Sequence, residues 1–325
     1  MLAPTTVVAP TAPSSSPHVP VLAEAVRRLA AVQAGEVWVD CTLGFGGHTA
    51  ELLAAGAQVY GLDKDADARA ATAARLDSDR LTVLAGDFRD VQAHLARVGV
   101  THVDGVLADL GVSSWQLDQP ERGFSFQSAG PVDMRMDASA PLSAMELLQT
   151  RSVSELAEIL RRDGEEPFAG PIARAMKAWV EGPGPHTTTR LAATIRSALP
   201  ARVAHARNHH PATQAFQALR IAVNDELGAL DALLASLPTV LRPGGRALII
   251  SFHSLEDRRV KQTFAQWTRP PEPPRRGLPA PNEGPTPFVA LTRKAVEADE
   301  AEVARNPRSR SAKLRAVQRR AEGDR

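Results

Sequence analysis

The chain of 325 residues has a formal net charge of +1, with 43% hydrophobic and 23% charged residues. This balance excludes global disorder, and the apolar runs are far shorter than the roughly 20 residues that a membrane-spanning helix requires. The single cysteine, Cys41, excludes an internal disulfide and a cysteine-rich zinc site, and it is consistent with the reducing cytoplasm.

The first predicted segment is a tail without fixed structure. Residues 1–17 are mostly Pro, Ser, Thr and Ala, which cannot build a core, so a disordered segment is expected there. From His18 onwards, apolar residues recur at helical spacing between positions 21 and 29, and Gly35 follows as a stop signal. A helix is therefore expected to precede the first strand.

Strands and helices alternate after this helix, which predicts a parallel sheet with helices on both faces and an α/β fold. A further strand follows much later, after a turn signal at residues 242–245. The strands are predicted at 37–41, 58–62, 81–85, 103–108 and 246–251, and the intervening helices at 49–55, 66–76 and 91–98.

The long stretch between the fourth and fifth strands is helical in pattern, and the chain length favours about two domains. The helical patterns fall at 153–162, 167–180, 189–199 and 212–237. We therefore predict an all-helical domain at 127–210, inserted into an α/β domain formed by residues 18–126 and 211–325. Eight prolines within residues 270–287 predict an extended loop, and 309–317 is a candidate last strand.

A glycine-rich turn follows the first strand. Gly44, Gly46 and Gly47 would let a ligand approach the backbone closely, as in dinucleotide-binding folds. The third glycine of the dinucleotide fingerprint would fall at Thr49 and is missing. The turn alone is compatible with either a ligand loop or a tight structural turn.

An acid follows the second strand. Asp63 lies 19 residues after Gly44, close to the spacing of about 20 at which an acid binds the ribose hydroxyls of a nucleotide. Alternatively, Asp63 or Asp65 caps the next helix. Both NAD and S-adenosylmethionine present such a ribose, so this acid does not separate the two cofactors.

The ends of the third and fourth strands offer further candidates. Asp87 and Phe88 are suited to the amine and the ring face of an adenine, although Phe88 taken alone fits an ordinary core position. Asp109 ends the fourth strand, where the reacting groups of doubly wound sheets lie, and its alternative role is a cap or turn.

Seven strings follow one another in an order that is typical of one known family. They are GFGGHT, ADLGVSSWQLD, RGFSF, DMRMD, HPATQAFQALRIAVNDEL, RPGGRALIISFHSLEDR and RNPRSRSAKLRA. With them the chain closely resembles the bacterial ribosomal RNA small subunit methyltransferase H family, also called MraW, from about residue 18 to residue 320. The resemblance implies a Rossmann-like class I methyltransferase sheet with an inserted all-helical domain, and S-adenosylmethionine as cofactor.

The resemblance also implies the reaction and its site. Members methylate N4 of one cytosine in the decoding region of 16S rRNA, so the expected partner is 16S rRNA, within a small ribosomal subunit or its precursor. Carried over residue by residue, the cofactor contacts fall on Gly46, Gly47, His48, Asp63, Phe88, Asp109 and Gln116.

The cytosine amine is a poor nucleophile, so a group that accepts its proton would assist methyl transfer. Asp109 is the first candidate for this catalytic role, with a purely cofactor-binding role as the alternative. DNA amino-methyltransferases carry an acid- or Asn-Pro-Pro-aromatic signature at this strand end, and this chain departs from it with DLGVSS over residues 109–114. The departure leaves the identity of the proton acceptor open.

Substrate contacts are predicted at Asn224 and His253. Asn224 belongs to a polar stripe beside an apolar helical face, a pattern that also fits a solvated surface. His253 follows the fifth strand, where it is placed either to contact the base or simply to cap or pack. Basic residues between Arg305 and Arg315, and a second group at residues 202–210, suit phosphate contacts or a solvated face.

No metal site is predicted, since no metal-ligand spacing is present. A non-catalytic RNA-binding assembly factor with a vestigial cofactor pocket is the main alternative function. A nicotinamide-dependent oxidoreductase is a third hypothesis, and the missing third glycine argues against it.

Overall fold

The computed structural model describes residues 20–207, 209–269 and 286–321. The predicted tail at 1–17 and most of the predicted loop at 270–287 lie outside the described residues. None of the helices in the described ranges is both long and apolar enough to cross a membrane.

The described strands form one seven-stranded sheet in the order β3-β2-β1-β4-β5-β7-β6, and this confirms the predicted Rossmann-like α/β fold. Strands β1 to β5 run parallel, whereas β7 is antiparallel to both of its neighbours. The strands are β1 Val37–Asp40, β2 Gln58–Asp63, β3 Leu81–Ala85, β4 Val103–Asp109, β5 Leu241–Ser251, β6 Phe288–Ala290 and β7 Lys313–Arg319.

Helices cover the sheet and fill the stretch between β4 and β5. Those along the sheet are α1 Ala23–Ala30, α2 Gly47–Ala54, α3 Ala66–Arg75, α4 Val91–Arg97, α5 Ser114–Asp118, α12 Glu226–Val240, α13 Ser254–Thr268 and α14 Glu300–Arg305. Those of the intervening stretch are α6 Ala144–Thr150, α7 Val153–Gly164, α8 Ala169–Glu181, α9 Thr188–Ser197, α10 Ala201–Ala206 and α11 Thr213–Asn224.

Burial separates the sheet from the intervening helices. One apolar cluster lies on each face of the sheet, and a third cluster is formed by the helical stretch. Phe216 and Leu219 of α11 are buried in this third cluster, so α11 packs with the helices although it lies beyond the predicted boundary at residue 210. We call the group α6–α11 the helical cluster.

Two strained helix ends join the helical cluster to the sheet. The residues that follow these helices, Glu165 after α7 and Asp225 after α11, have φ values of 49° and 47°. This is a left-handed conformation that non-glycine residues seldom adopt. The Glu165 carboxylate accepts hydrogen bonds from Ser254 Oγ at 2.6 Å and Arg258 at 2.8 Å. The Asp225 carboxylate pairs with Arg89 at 2.9 Å. Each strained end thus directs a carboxylate to the sheet side.

Candidate active site

A cavity of about 860 Å³ opens at the carboxyl ends of the parallel strands, where doubly wound sheets bind ligands. Its volume lies within the range of about 300–1,000 Å³ that is typical of small-molecule sites. Met136 adds a wall from the loop that precedes the helical cluster. Of the nine predicted site residues, the structure brings six to this cavity: Gly47, His48, Asp63, Phe88, Asp109 and Gln116.

The glycine turn between β1 and α2 serves both packing and the cavity. Gly46 begins α2 at φ 72°, and a Cβ there would lie 2.7 Å from side-chain atoms of both Leu76 and Thr72. Because Gly46 has no side chain, α3 can pack against the turn. Gly46 itself does not line the cavity. Gly47 and His48, the next two residues, do line it.

Asp63 ends β2 with its carboxylate in the cavity wall. Its two oxygens accept backbone N–H groups from Gly44 at 2.8 Å and Asp65 at 2.9 Å. The helix cap that was the alternative role falls to Asp65, whose carboxylate accepts the N–H of Asp67. Burial raises the pKa of Asp63, and the two N–H groups oppose this rise. Each oxygen keeps a lone pair for a further donor.

Phe88 packs against the core, as its alternative role required, and it also lines the cavity. Its neighbour Asp87 is held by Lys64 at 2.7 Å and Arg89 at 3.3 Å. Burial would raise the pKa of Asp87, but these cations and a backbone N–H outweigh it and lower the pKa. Asp87 is thus engaged in ion pairs, whereas the partly buried Phe88 lines the cavity.

Gln116 is fixed from two sides at the cavity wall. Its Oε1 accepts the N–H of Ser113, which caps α5, in a reciprocal capping box. Its Nε2 donates to Asp65 at 2.7 Å, in a buried contact, and Arg122 pairs with the same Asp65 oxygen at 3.0 Å. These bonds hold α5 over the end of β2, and leave one amide hydrogen of Gln116 for a ligand.

His48 and Asp109 face each other across the cavity floor, with Nε2 and Oδ2 3.7 Å apart. Neither ring nitrogen of His48, nor Asp109 Oδ1, has a hydrogen-bond partner in the described part of the chain. Burial lowers the pKa of His48 to about 4, whereas burial, reinforced by repulsion from Asp40 and Glu256, raises that of Asp109 well above its usual range. Buried polar atoms without partners indicate where a ligand binds.

The structure does not bring Asn224 to the cavity. Its Oδ1 accepts the N–H of Met136 at 2.8 Å, and its Nδ2 donates to the carbonyls of Met134 and Arg220, both at 2.8 Å. Both amide hydrogens are therefore engaged with the backbone. Asn224 thus clamps the Met136 loop, and its contact with substrate stays a prediction.

The segment after β5 carries a second group of charged residues. His253 does not line the cavity, but its Nε2 lies 3.2 Å from Glu256 Oε1, and Glu256 does line it. Glu226, also in the wall, accepts two hydrogen bonds from Arg220 at 2.8 and 2.9 Å. Glu226, His253 and Glu256 have ligand atoms within 4.8 Å of one another, but the Arg220 guanidinium already neutralises Glu226. The group is therefore an ion-pair network.

Residues 15–320 match the family described as the MraW methylase family. The chain belongs to this family. A ribosomal RNA small subunit methyltransferase H from Anaeromyxobacter sp. (strain K) is 52% identical over 309 residues, covering 93% of this chain and 97% of the relative. Proteins of the same name from Myxococcus xanthus and Symbiobacterium thermophilum are 51% and 46% identical, covering 88% and 92% of this chain and 91% and 96% of the relatives.

Two acids in the cavity wall of this MraW methylase were not singled out from the sequence. Glu226 and Glu256 each lie in the first turn of a helix, α12 and α13. For Glu256 the sequence carried a signal, because a Glu three residues after the residue that caps a helix commonly accepts a backbone N–H at the start of that helix. For Glu226 the sequence carries no such signal, because its burial depends on Arg220 from α11.

The basic residues of this MraW methylase are only partly available for RNA. Arg207 binds both oxygens of buried Glu166, at 2.7 and 2.8 Å, so it is withdrawn from the predicted patch at 202–210. Arg315 pairs with Asp257 at 2.7 Å. Arg305 and Arg310 are exposed, and they keep the C-terminal segment as a candidate phosphate-binding surface.

Proposed function

We propose that this protein transfers a methyl group from S-adenosylmethionine to N4 of a cytosine in the decoding region of 16S rRNA. The substrate is the RNA within a small ribosomal subunit or its precursor, in the cytoplasm. One observation carries the proposal: an acid after β2, an aromatic ring after β3 and unpartnered polar atoms after β1 and β4 face a single cavity. The names of the relatives described above support ribosomal RNA as substrate.

The residues present fit the proposed cofactor. Asp63 has lone pairs for both ribose hydroxyls, and Phe88 has a ring for the adenine. The unpartnered atoms of His48 and Asp109 supply hydrogen-bonding groups for the polar methionine portion. When bound, S-adenosylmethionine supplies an electrophilic methyl group on a sulfonium centre.

The protein's own contribution is chiefly positioning. The cofactor wall is rigid because Asp63 and Gln116 are each fixed by two hydrogen bonds before any ligand arrives. A paired or stacked cytosine must leave its stack to reach such a cavity. The Met136 loop, clamped by Asn224, forms the wall on the side of the helical cluster and would enclose the extruded base. Holding donor and acceptor in line can supply about 7–11 kcal/mol of the barrier reduction.

The test is methyl transfer followed by identification of the nucleoside. The protein is incubated with S-adenosylmethionine and small ribosomal subunits that lack the modification, and the digested RNA is read by mass spectrometry. We expect N4-methylcytidine at one position. Asp63→Ala should weaken cofactor binding in calorimetry at least about tenfold, because a hydrogen bond to a charged group contributes about 1.5–3 kcal/mol. Asp79→Ala, at an exposed acid outside the cavity, is the control.

Two outcomes would contradict the proposal. RNA binding without cofactor binding or methylation would favour the non-catalytic assembly factor. Binding of NAD in the same calorimetric experiment, with no affinity for S-adenosylmethionine, would favour the oxidoreductase.

A further inference from the structure

Glu256 is a buried carboxylate that the wall of the cavity holds in a fixed position. It lies in the first turn of α13, and its side chain is 3% exposed. Its Oε2 accepts the backbone N–H of Phe252 at 2.8 Å, and its Oε1 lies 3.2 Å from His253 Nε2. Both contacts come from the loop after β5, so the carboxylate is oriented by its own segment. Each oxygen retains a lone pair for a further donor.

The surroundings keep this carboxylate ionised. Burial would raise the pKa of Glu256, but the neighbouring His253, the charge of Arg220 and the Phe252 N–H outweigh burial and lower the pKa. Arg220 is partly buried and paired with Glu226, so its charge is screened less than that of an exposed arginine. Glu256 is therefore an anion that faces the cavity.

Asp109 differs from Glu256 in both place and charge. It lies beside His48 of the glycine turn, on the side of the cavity that fits the cofactor. Glu256 lies in the first turn of α13, and its charge acts on both Asp109 and Arg220. Burial and the charges of Asp40 and Glu256 raise the pKa of Asp109, which favours its neutral form. The two acids thus line different parts of the cavity, Asp109 beside the glycine turn and Glu256 in the segment after β5, where the Phe252 N–H orients its carboxylate.

We propose that Glu256, rather than Asp109, accepts the proton of the cytosine amine during methyl transfer. The inference rests on the proposed function. The lone pair of N4 forms the bond to the methyl carbon, and the carbon–sulfur bond breaks with its electron pair remaining on sulfur, which leaves S-adenosylhomocysteine. The methylated nitrogen then carries the positive charge and releases one proton to the Glu256 carboxylate. Asp109 keeps its proton as a hydrogen-bond donor, and His253 is a positioning residue that holds Glu256.

The decisive comparison is between Glu256→Gln and Asp109→Asn, measured as single-turnover methylation rates at saturating S-adenosylmethionine. Glutamine keeps the size of the side chain and an oxygen for the Phe252 N–H, but it cannot take a proton. We expect the rate of Glu256→Gln to fall about 10²–10⁴-fold, the usual contribution of a general base, with cofactor affinity retained. Glu256→Asp keeps a carboxylate and should recover part of the loss. Glu300→Gln, the same change in the exposed first turn of α14, is the control.

The outcomes separate the inference from the function on which it rests. If the unmodified protein forms N4-methylcytidine and Glu256→Gln does so at an undiminished rate, the inference is overturned and the proposed function stands. The inference is also overturned if Asp109→Asn shows the larger loss with its cofactor affinity intact. If Glu256→Gln and Glu256→Asp lose activity equally, along with thermal stability or cofactor binding, Glu256 has a structural role only. A different methylated nucleoside from the unmodified protein would instead overturn the proposed function.

Discussion

Replacing Asp40 by asparagine should stabilise this protein at neutral pH. Asp40 ends β1 with 1% of its surface exposed, and it accepts hydrogen bonds from Thr49 Oγ1 at 2.7 Å and the Thr42 N–H at 3.1 Å. Burial raises its pKa from 3.8 to about 6; these hydrogen bonds oppose the rise and the nearby Asp63 adds to it. An asparagine can accept from the Thr42 N–H and donate to the Thr49 hydroxyl, so it keeps both contacts without a buried charge.

The size and sign of the effect follow from the pKa of Asp40. The folded state binds the proton more tightly than the unfolded chain, so this source of stability is complete below about pH 4 and is lost as pH rises through about 6. A shift from 3.8 to about 6 corresponds to about 3 kcal/mol. We expect the free energy of unfolding of Asp40→Asn to be up to about 3 kcal/mol higher than that of the unmodified protein at pH 7.5. At pH 5 this difference should be smaller by roughly 1.4 kcal/mol.

Urea denaturation at pH 5 and pH 7.5 measures this difference as the free energy of unfolding. Asp104→Asn is the matched control, because Asp104 is paired with Arg242 at 3.0 Å and accepts the Val37 N–H at 2.7 Å. Loss of that charge should lower stability at pH 7.5. The reasoning would be refuted if Asp40→Asn were less stable than the unmodified protein at pH 7.5, or if its advantage did not change with pH.

Two further substitutions test packing and ion pairing, both by urea denaturation. Gly46→Ala should lower the free energy of unfolding by at least about 2 kcal/mol, because the residue has a left-handed conformation and the new Cβ would lie 2.7 Å from two side chains. Gly99→Ala is the control: it has φ 76° but open space around it, so it should lose only about 1 kcal/mol. Equal losses would show that the contacts relax freely. Arg207→Met should lose about 3–5 kcal/mol, because it leaves buried Glu166 unpaired, whereas Arg161→Met, in an exposed pair, should lose less than about 1 kcal/mol. A loss at Arg207 as small as that at Arg161 would contradict the assignment of a buried ion pair.

The sheet was largely predictable because its central strands β1, β2, β4 and β5 are largely buried and their sequences are apolar runs. The five predicted strands occur within a few residues of the expected bounds, except that β5 begins at Leu241, before its turn signal. The short strand β6, Phe288–Ala290, was missed, because three residues carry no periodicity. The last strand begins at Lys313 instead of 309, because Pro307–Ser311 forms a 3₁₀ turn.

Part of the cavity lining was predictable from the topology, because residues that end or directly follow a parallel strand reach this edge of the sheet. Asp63, Phe88 and Asp109 lie where the sheet topology places them. The backbone contacts of Asn224 were not predictable, because the spacing of a helical stripe does not show which groups it will meet in a distant loop. The charge state of Glu256 was likewise beyond the sequence, since it depends on Arg220 from another helix.

The strained ends of α7 and α11 have a mechanical consequence. The carboxylates of Glu165 and Asp225 are 41% and 65% exposed, so the ion pairs they make across the junction are open to counterions. Dissolved ions screen these two exposed ion pairs and weaken them as ionic strength rises, whereas apolar contacts are not subject to charge screening. Higher salt should therefore loosen these two contacts first, while the apolar cluster of Ile221, Leu227 and Leu255 and the Arg220–Glu226 pair still hold the helical cluster to α12 and α13.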